Sequence, residues 1–144
     1  MSRNLFRWLL TLALALAPWA VAAQAVSPPD ARAVREVVEA QLKALAADDA
    51  VRAFSYASPT IRSQFGDAAN FMAMVKSGYP MVLRPAVTAF FQPEAADGSV
   101  MQAVQLRGRD GRAWLATYEL QRQPDGRWRI NGCVVQADTG KSST

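Results

Sequence analysis

Three Asp-Gly pairs in the second half of the chain, at residues 97–98, 110–111 and 125–126, constrain its fold more than any other feature. Asp-Gly between alternating apolar runs is typical of tight hairpin turns, because glycine adopts positive φ angles without steric cost. Three such turns at near-even spacing predict four antiparallel strands in a meander. Helical patterns precede them, so we expect an α+β domain whose N-terminal helices pack on one face of a curved four-stranded sheet.

The region before the sheet has the periodicity of four helices. Val34, Val38, Leu42 and Leu45 share one stripe, which predicts a long amphipathic helix that ends near Ala47. Shorter helices follow, each introduced by a residue that can accept a hydrogen bond from the first turn. The predicted N-caps are Asp30, Asp48 or Asp49, Ser58 and Asp67.

The turns predict which strand residues lie opposite one another. A two-residue loop at the second Asp-Gly pair sets Leu106 opposite Leu115, and a three-residue loop at the third sets Leu120 opposite Ile130. The residues that this register assigns to the core face are Met101, Ala103, Trp114, Ala116, Tyr118, Leu120, Trp128, Ile130 and Val134.

The opposite face of the predicted sheet mixes apolar and polar residues. It carries Val100, Val104, Leu106, Leu115 and Val135 together with Gln102, Glu119, Arg129, Asn131 and Cys133. A homodimer or partner interface would explain this mixture, and so would an ordinary exposed sheet with scattered apolar side chains. The residues predicted for such an interface are Leu106, Leu115, Glu119, Arg129 and Val135.

Residues 1–25 have the layout of a cleavable signal peptide. Arg3 and Arg7 precede a dense apolar stretch, and small residues then offer cleavage sites after Ala23 or Ala25. The alternative is an uncleaved anchor, which would make a membrane-anchored periplasmic accessory protein. The apolar stretch is shorter than the roughly 20 residues that a spanning helix needs. We therefore expect a periplasmic or secreted protein with no stable membrane span after cleavage.

The remaining chain has the length of one domain, predicted at residues 26–137, followed by a disordered tail at residues 138–144. The formal net charge of +4 falls to about half without the two leader arginines, so no nucleic-acid partner is expected. The chain contains no histidine and one cysteine, Cys133. We accordingly predict no metal site, no cofactor and no disulfide, and a structural, half-buried thiol.

Several blocks of the sequence resemble a known bacterial family. They are the runs Ser58-Pro59-Thr60-Ile61, Phe71-Met72-Ala73-Met74-Val75, Gly78-Tyr79-Pro80 and Arg84-Pro85, and the final hairpin from Asp125 to Cys133. Over about residues 31–135, this pattern resembles the domain of unknown function DUF4864. The order of elements is also similar to the wider NTF2-like, cone-shaped (cystatin-like) fold. That fold hosts isomerases, dehydratases, binding domains and dimerising modules, so the resemblance implies an architecture rather than a chemistry.

A cone-shaped fold implies a pocket between the helices and the sheet. The residues expected to line it are Tyr56, Met74, Tyr79, Trp114 and Tyr118, with Arg84 at the rim for a carboxylate. Such a pocket would accept a small apolar or carboxylate ligand. Aromatic and methionine side chains at these spacings are equally typical of a core, and Arg84 could instead anchor its loop to backbone carbonyls.

An enzymatic function of the isomerase or dehydratase type would need a carboxylate base inside that pocket. The predicted register leaves no Asp or Glu on the core face and directs Glu119 to the opposite side. No catalytic residue is therefore predicted. The sequence favours a non-enzymatic module that binds a small ligand or another protein, with the small NTF2-like enzyme as the alternative.

Overall fold

The structure is a computed structural model, and it describes residues 25–140 of the protein. The predicted signal peptide, apart from Ala25, and the end of the predicted tail lie outside the described residues. Between residues 25 and 140, no helix combines the length and the apolar character required to cross a membrane. Asp138 is bound to the sheet, because its amide donates to Ala113 O at 2.9 Å and its carboxylate accepts from Gln105 Nε2 at 2.7 Å. The folded domain thus continues one residue past the predicted boundary.

Four helices come first in the chain. They are α1 (Pro28–Ala46), α2 (Ala50–Ser55), α3 (Pro59–Phe65) and α4 (Ala68–Gly78), followed by a short 3₁₀ helix at Pro80–Val82. The predicted caps Asp49, Ser58 and Asp67 are confirmed, since each side chain accepts from a backbone N–H three residues later. The predicted cap of the first helix was wrong. Ser27 caps α1, and Asp30 lies in its first turn.

The physical reason lies in the two prolines after Ser27. Proline suits the first turn of a helix because its fixed φ is already helical and its missing N–H would have no partner there. The Ser27 hydroxyl accepts from Asp30 N, and the Asp30 carboxylate pairs with Arg122 of the sheet. Asp30 therefore also sits where the helix dipole favours a negative charge.

The sheet is antiparallel throughout, and the predicted α+β class is confirmed. Its strands are β1 (Val87–Phe90), β2 (Glu94–Ala96), β3 (Ser99–Arg107), β4 (Ala113–Arg122) and β5 (Trp128–Ala137), in the spatial order β1-β3-β4-β5. The short strands β1 and β2 both pair with β3, so together they occupy one edge of a four-column sheet. Pro93 lies between them and has no N–H to continue the ladder.

The three Asp-Gly pairs form two kinds of connection, because the second and third pairs share one hydrogen-bond pattern and a single positive-φ glycine. The first is a two-residue turn in which Asp97 and Gly98 both have positive φ angles, and the third gives the predicted pairing of Leu120 with Ile130. The predicted two-residue turn at the second pair was wrong. Only Gly111 has a positive φ there, and the chain uses a three-residue loop, residues 109–111, closed by a bond from Gly108 N to Arg112 O at 2.9 Å.

This longer loop moves the β3–β4 register by one residue and reverses the two faces of β3. Leu106 lies opposite Trp114, where we had predicted Leu115. A slip of one residue exchanges the faces of a strand, because side chains alternate. Val100, Val104 and Leu106 are therefore buried against the helices, whereas the predicted core residues Met101 and Ala103 lie on the outer face.

The faces of β5 also differ from the prediction, because this strand contains a β-bulge. Ile130 pairs with Leu120 and Gly132 with Glu119, so Asn131 is an extra residue. A bulge changes the phase of the strand beyond it. Residues that follow therefore exchange faces: Val135 and Cys133 point inward, and the predicted core residue Val134 is 60% exposed. Trp128, Ile130, Ala116, Tyr118 and Leu120 lie in the core as predicted.

Helices and sheet enclose one core. The predicted stripe of α1 is confirmed, with Val34, Val38, Leu42 and Leu45 all buried. The helix α1 packs on β3 and β5, α3 packs on β5, and α2 joins α1 to α4. The opposite face of the sheet carries no helix of the described chain, and exposes Phe91 and Val134.

Candidate functional site

A cavity of about 420 Å³ opens between α3, α4 and the inner face of β4 and β5. Its volume falls within the range of roughly 300–1,000 Å³ that is typical of small-molecule sites. Its lining residues come from every layer of the fold: Gln41, Leu45, Ala57, Ile61, Gln64, Phe65, Phe71, Met74, Val75, Tyr79, Val82, Tyr118, Ile130, Gly132, Cys133 and Val135.

The bulge in β5 builds the sheet side of this cavity. The extra residue, Asn131, turns Cys133 and Val135 toward the helices, and Gly132 adds no side chain to the space between them. The segment between α2 and α3 also pairs with the edge of β5 here. Ser58 N donates to Ile130 O at 2.8 Å, and Ile130 N donates to Tyr56 O at 2.8 Å. The edge strand is thereby covered beside the cavity.

Ser58 connects this edge to the helical side of the cavity. Its hydroxyl donates to Asn131 Oδ1 at 2.8 Å and accepts from Ile61 N at 3.3 Å. One side chain thus caps α3 and binds the bulge residue. Because α3 has only seven residues and none of them is buried, its position depends on such end contacts. Ser58 therefore positions the α3 wall against β5.

Aromatic side chains form the helical wall. The Phe71 ring of α4 lies 5.4 Å from the Phe54 ring and 5.7 Å from the Phe65 ring, centroid to centroid. The contact with Phe65 is edge-on, a favoured geometry for aromatic pairs. The cluster joins α2, α3 and α4, and Met74 and Val75 of α4 line the cavity beside it. The wall is apolar and contains the adaptable methionine side chain.

The polar groups in the cavity are few and uncharged. Among residues 25–140, no Asp, Glu, Lys or Arg belongs to the lining. Gln41 of α1 is 5% exposed, and its Nε2 donates to Ala53 O at 3.2 Å. Tyr118 and Cys133 are directly opposite each other on β4 and β5. The remaining polar side chains in the lining are Gln64 and Tyr79.

Burial keeps the Tyr118 and Cys133 side chains protonated. It raises the pKa of Cys133 from 9.0 to about 12, although a hydrogen bond from the Tyr118 hydroxyl acts in the opposite direction. Burial also raises the pKa of Tyr118 well above 10.0, and the neighbouring thiolate and the hydrogen bond to it add to that shift. A reactive cysteine requires a lowered pKa. At neutral pH this pair supplies two uncharged hydrogen-bonding groups rather than a nucleophile.

Three of the six residues predicted for a pocket lie together at the cavity: Met74, Tyr79 and Tyr118. Tyr56 contributes its backbone carbonyl to the pairing with β5, and its side chain packs on the core. The other two residues lie elsewhere. Arg84 and Trp114 line a separate surface groove beside the β3–β4 loop. Arg84 Nε donates to Ala46 O at 3.0 Å, so this side chain anchors its loop to the end of α1.

The residues predicted for an interface divide between the two faces of the sheet. Leu106 and Val135 face the interior, so both placements on the outer face were wrong. The shifted β3–β4 register turns Leu106 inward, and the bulge in β5 does the same to Val135. Leu115, Glu119 and Arg129 do lie on the outer face. Glu119 accepts from Ser99 Oγ at 2.9 Å, and Arg129 donates to Trp128 O at 2.8 Å.

Sequence reasoning missed most of the cavity lining, including Gln41, Ile61 and Cys133. One sequence pattern does indicate the part of the lining that β5 contributes. The Asn131-Gly132 pair interrupts a strand, and a glycine inside a strand pattern is typical of a bulge. Placing a bulge there would have turned Cys133 and Val135 inward. Gln41 lies beside the apolar stripe of α1, where a polar residue gives no indication of its burial.

The comparisons with known proteins identify a family and no closer relative. The model of the family described as "Domain of unknown function (DUF4864)" matches residues 27–143. No curated protein and no solved structure gives a significant match to the chain. The family match includes every residue that lines the cavity.

Proposed function

The chain belongs to the DUF4864 family, whose description names no activity, and we propose that it is a non-enzymatic binding protein for a small apolar molecule. The observation that carries this proposal is the 420 Å³ cavity between α3, α4 and the bulged strand β5. Small-molecule sites are mostly apolar, with a few placed polar groups. This cavity has that composition.

The free energy of binding would come from burying the apolar surface of the ligand. Each methylene group removed from water contributes about 0.8 kcal/mol, or roughly a fourfold gain in affinity. Phe65, Phe71 and Met74 offer the aromatic and sulfur contacts that suit a flat or aromatic ligand. A homologous ligand series should therefore bind more tightly with each added carbon until the cavity is filled.

The chemistry of the lining supports binding better than catalysis. A general base is most often a histidine, a carboxylate or a lysine, and a tyrosine or cysteine serves only if it can lose its proton, which burial prevents at Tyr118 and Cys133. The chain contains no histidine, and the carboxylate of Glu119 lies on the outer face of the sheet, bound to Ser99. Tyr118 can donate a hydrogen bond, but the described lining provides no base to work with it. The isomerase or dehydratase alternative would need a base from elsewhere.

We further propose that the protein acts outside the cytoplasm. The support is the sequence of residues 1–25, with two arginines, an apolar stretch and small residues before the domain. Cell fractionation and N-terminal sequencing test this proposal. We expect periplasmic or secreted protein that begins at residue 24 or 26. Protein that retains Arg3 and sediments with membranes would establish the anchored alternative instead.

Two adjacent valines of β5 provide a matched test of binding. Val135 lines the cavity and Val134 points outward, so a phenylalanine at each position adds the same atoms on opposite sides of one strand. We would titrate 2-ethylnaphthalene, a neutral apolar probe, into the wild type, Val135→Phe and Val134→Phe. Thermal unfolding of each variant monitors the fold.

We expect the wild type and Val134→Phe to bind the probe equally well. Val135→Phe should bind it at least roughly tenfold more weakly, because the new ring occupies the cavity. A wild type that does not bind the probe would contradict the proposal. So would equal affinity in all three proteins, since the probe would then bind elsewhere.

A further inference from the structure

Binding of a purely apolar ligand does not explain why two polar side chains, Tyr118 and Cys133, lie next to each other in the cavity. Tyr118 is one of the largest fully buried side chains of the described chain, and Cys133 lies directly opposite it on β5. Both residues line the cavity. A buried hydroxyl is costly without a partner, and a thiol sulfur is only a weak acceptor. A ligand oxygen that enters the cavity would therefore be a better acceptor for the Tyr118 hydroxyl than the neighbouring thiol.

We propose that the cavity selects an uncharged ligand with an apolar body and one oxygen acceptor, a ketone, aldehyde or ester carbonyl, which takes the hydrogen bond of the Tyr118 hydroxyl. This inference rests on the proposed binding function and adds the chemical class of the ligand. A carbonyl oxygen is a stronger acceptor than a thiol sulfur, so the hydroxyl would bond to the ligand in preference to its neighbour on β5. The Cys133 thiol remains beside it as a second weak donor.

The same geometry excludes ionised ligands. A carboxylate that enters the cavity loses its hydration shell, and no Arg or Lys of the described lining replaces it. Burial of an unpaired charge is among the most unfavourable changes in a protein interior. Arg84, which we had expected at the rim for a carboxylate, is bound to Ala46 O and lines a different groove. The cavity thus discriminates by charge as well as by size.

Three probes with one aromatic body separate these effects. They are 2-ethylnaphthalene, which is neutral without an acceptor, 2-acetonaphthone, which is neutral with a carbonyl, and 2-naphthoate, which is ionised at pH 7. We expect 2-acetonaphthone to bind most tightly. Binding of 2-naphthoate should be roughly 100-fold weaker than that of the ketone, because its charge is desolvated without a partner.

The variant Tyr118→Phe tests the role of the hydroxyl and keeps the ring. It should weaken the binding of 2-acetonaphthone by roughly fivefold, the usual effect of one neutral hydrogen bond. Binding of 2-ethylnaphthalene to the same variant should stay within about twofold of the wild type. That second titration shows whether the variant is folded and its cavity intact.

The outcomes separate this inference from the function on which it rests. If 2-ethylnaphthalene binds but 2-naphthoate binds as well as the ketone, selection for neutral ligands is wrong and the cavity function stands. If Tyr118→Phe weakens both neutral probes equally, the hydroxyl has no specific role and the inference is overturned. If 2-ethylnaphthalene does not bind the wild type, the proposed function itself fails, and this inference fails with it.

Discussion

Val104 and Val135 lie in one row of the sheet, on either side of Ala116, yet their surroundings differ completely. Val104 has no exposed surface and belongs to the same close-packed cluster as Val34 and Val38 of α1. Val135 is part of a cavity wall. Two valines on the same face of one sheet thus have different roles: Val104 stabilises the core, and Val135 lines the cavity.

The covering elements explain the difference. The long helix α1 has six buried residues, whereas α3, which packs on β5, has none. The short helix α3 places only Ile61 and Phe65 toward the sheet, each half-buried, and they leave open the space beside the bulge. The cavity therefore arises where a lightly packed helix covers a bulged strand.

The largest expected effect distinguishes the two leucines that sequence reasoning had placed opposite each other. Leu106→Ala should destabilise the protein by about 3 kcal/mol, because Leu106 is fully buried. Leu115→Ala, on the outer face, should cost less than about 1 kcal/mol. Urea unfolding of both variants measures the difference. Equal costs would contradict the register of β3 and β4.

The stability of Leu115→Ala should also be measured at several protein concentrations, because an interface between copies would make the melting temperature depend on concentration. If Leu115→Ala lowered the stability strongly and only at high protein concentration, the outer face would be an interface between copies of the chain.

Truncation of Val104 and of Val135 should change the stability by different amounts. Val104→Ala should reduce the free energy of unfolding by about 2 kcal/mol, since two carbon atoms leave a close-packed site. Val135→Ala should reduce it by less than about 1 kcal/mol, because its side chain already borders open space. Chemical denaturation of the pair tests this contrast. Equal losses would show that the region around Val135 is as well packed as the core.

Removal of the Ser58 hydroxyl should cause the next largest loss of stability. Ser58→Ala removes the cap of α3 and the bond to Asn131, so we expect a loss of about 1–2 kcal/mol. Ser55→Ala is a suitable control, because its hydroxyl only bonds the carbonyl of Arg52 within its own exposed turn. Hydrogen exchange should also increase in α3 of the Ser58 variant alone. Unchanged exchange there would mean that Ser58 does not position this helix.

The smallest expected effect is the dependence of stability on alkaline pH. Burial raises the pKa of Cys133 from 9.0 to about 12, so above pH 9 the unfolded chain loses the thiol proton while the folded protein keeps it. The stabilising difference is complete below pH 9 and declines as the pH rises toward 12. We expect a loss of about 1 kcal/mol between pH 9 and 10.

Cys133→Ala is the matched variant for this measurement. It should reduce the loss of unfolding free energy between pH 9 and 10 to about 0.4 kcal/mol, the share that Tyr118 adds as the pH approaches 10.0. An equally steep loss in the variant would assign the alkaline transition to another group.

The sequence predicted the domain class, most helix caps and two of the three Asp-Gly connections, because these depend on local chemistry. Ser58-Pro59 and the Asp97-Gly98 turn act through their own backbone geometry and hydrogen bonds. The β3–β4 loop escaped prediction because Asp110 does not adopt the positive φ that a two-residue turn requires. Asp110 instead accepts from Arg112 N within a longer loop.

Half of the predicted pocket residues line the cavity, and the other half lie elsewhere in the fold. Met74, Tyr79 and Tyr118 line the cavity, and for Met74 and Tyr118 the period of the helix or strand directs the side chain inward. Arg84 and Trp114 were placed by residue type, and tertiary packing located them in another groove. The bulge at Asn131 depends on contacts with Ser58, more than 70 residues away, which no local pattern contains.

The most direct test of the account is an NMR structure of the protein with 2-ethylnaphthalene bound. We predict nuclear Overhauser contacts between the probe and the methyl groups of Met74 and Val135, and between the probe and the Tyr118 ring. The methyl groups of Val104 should show none. Contacts with Val134 or Phe91 on the outer face, with none at Val135, would contradict the claim that this cavity is the binding site.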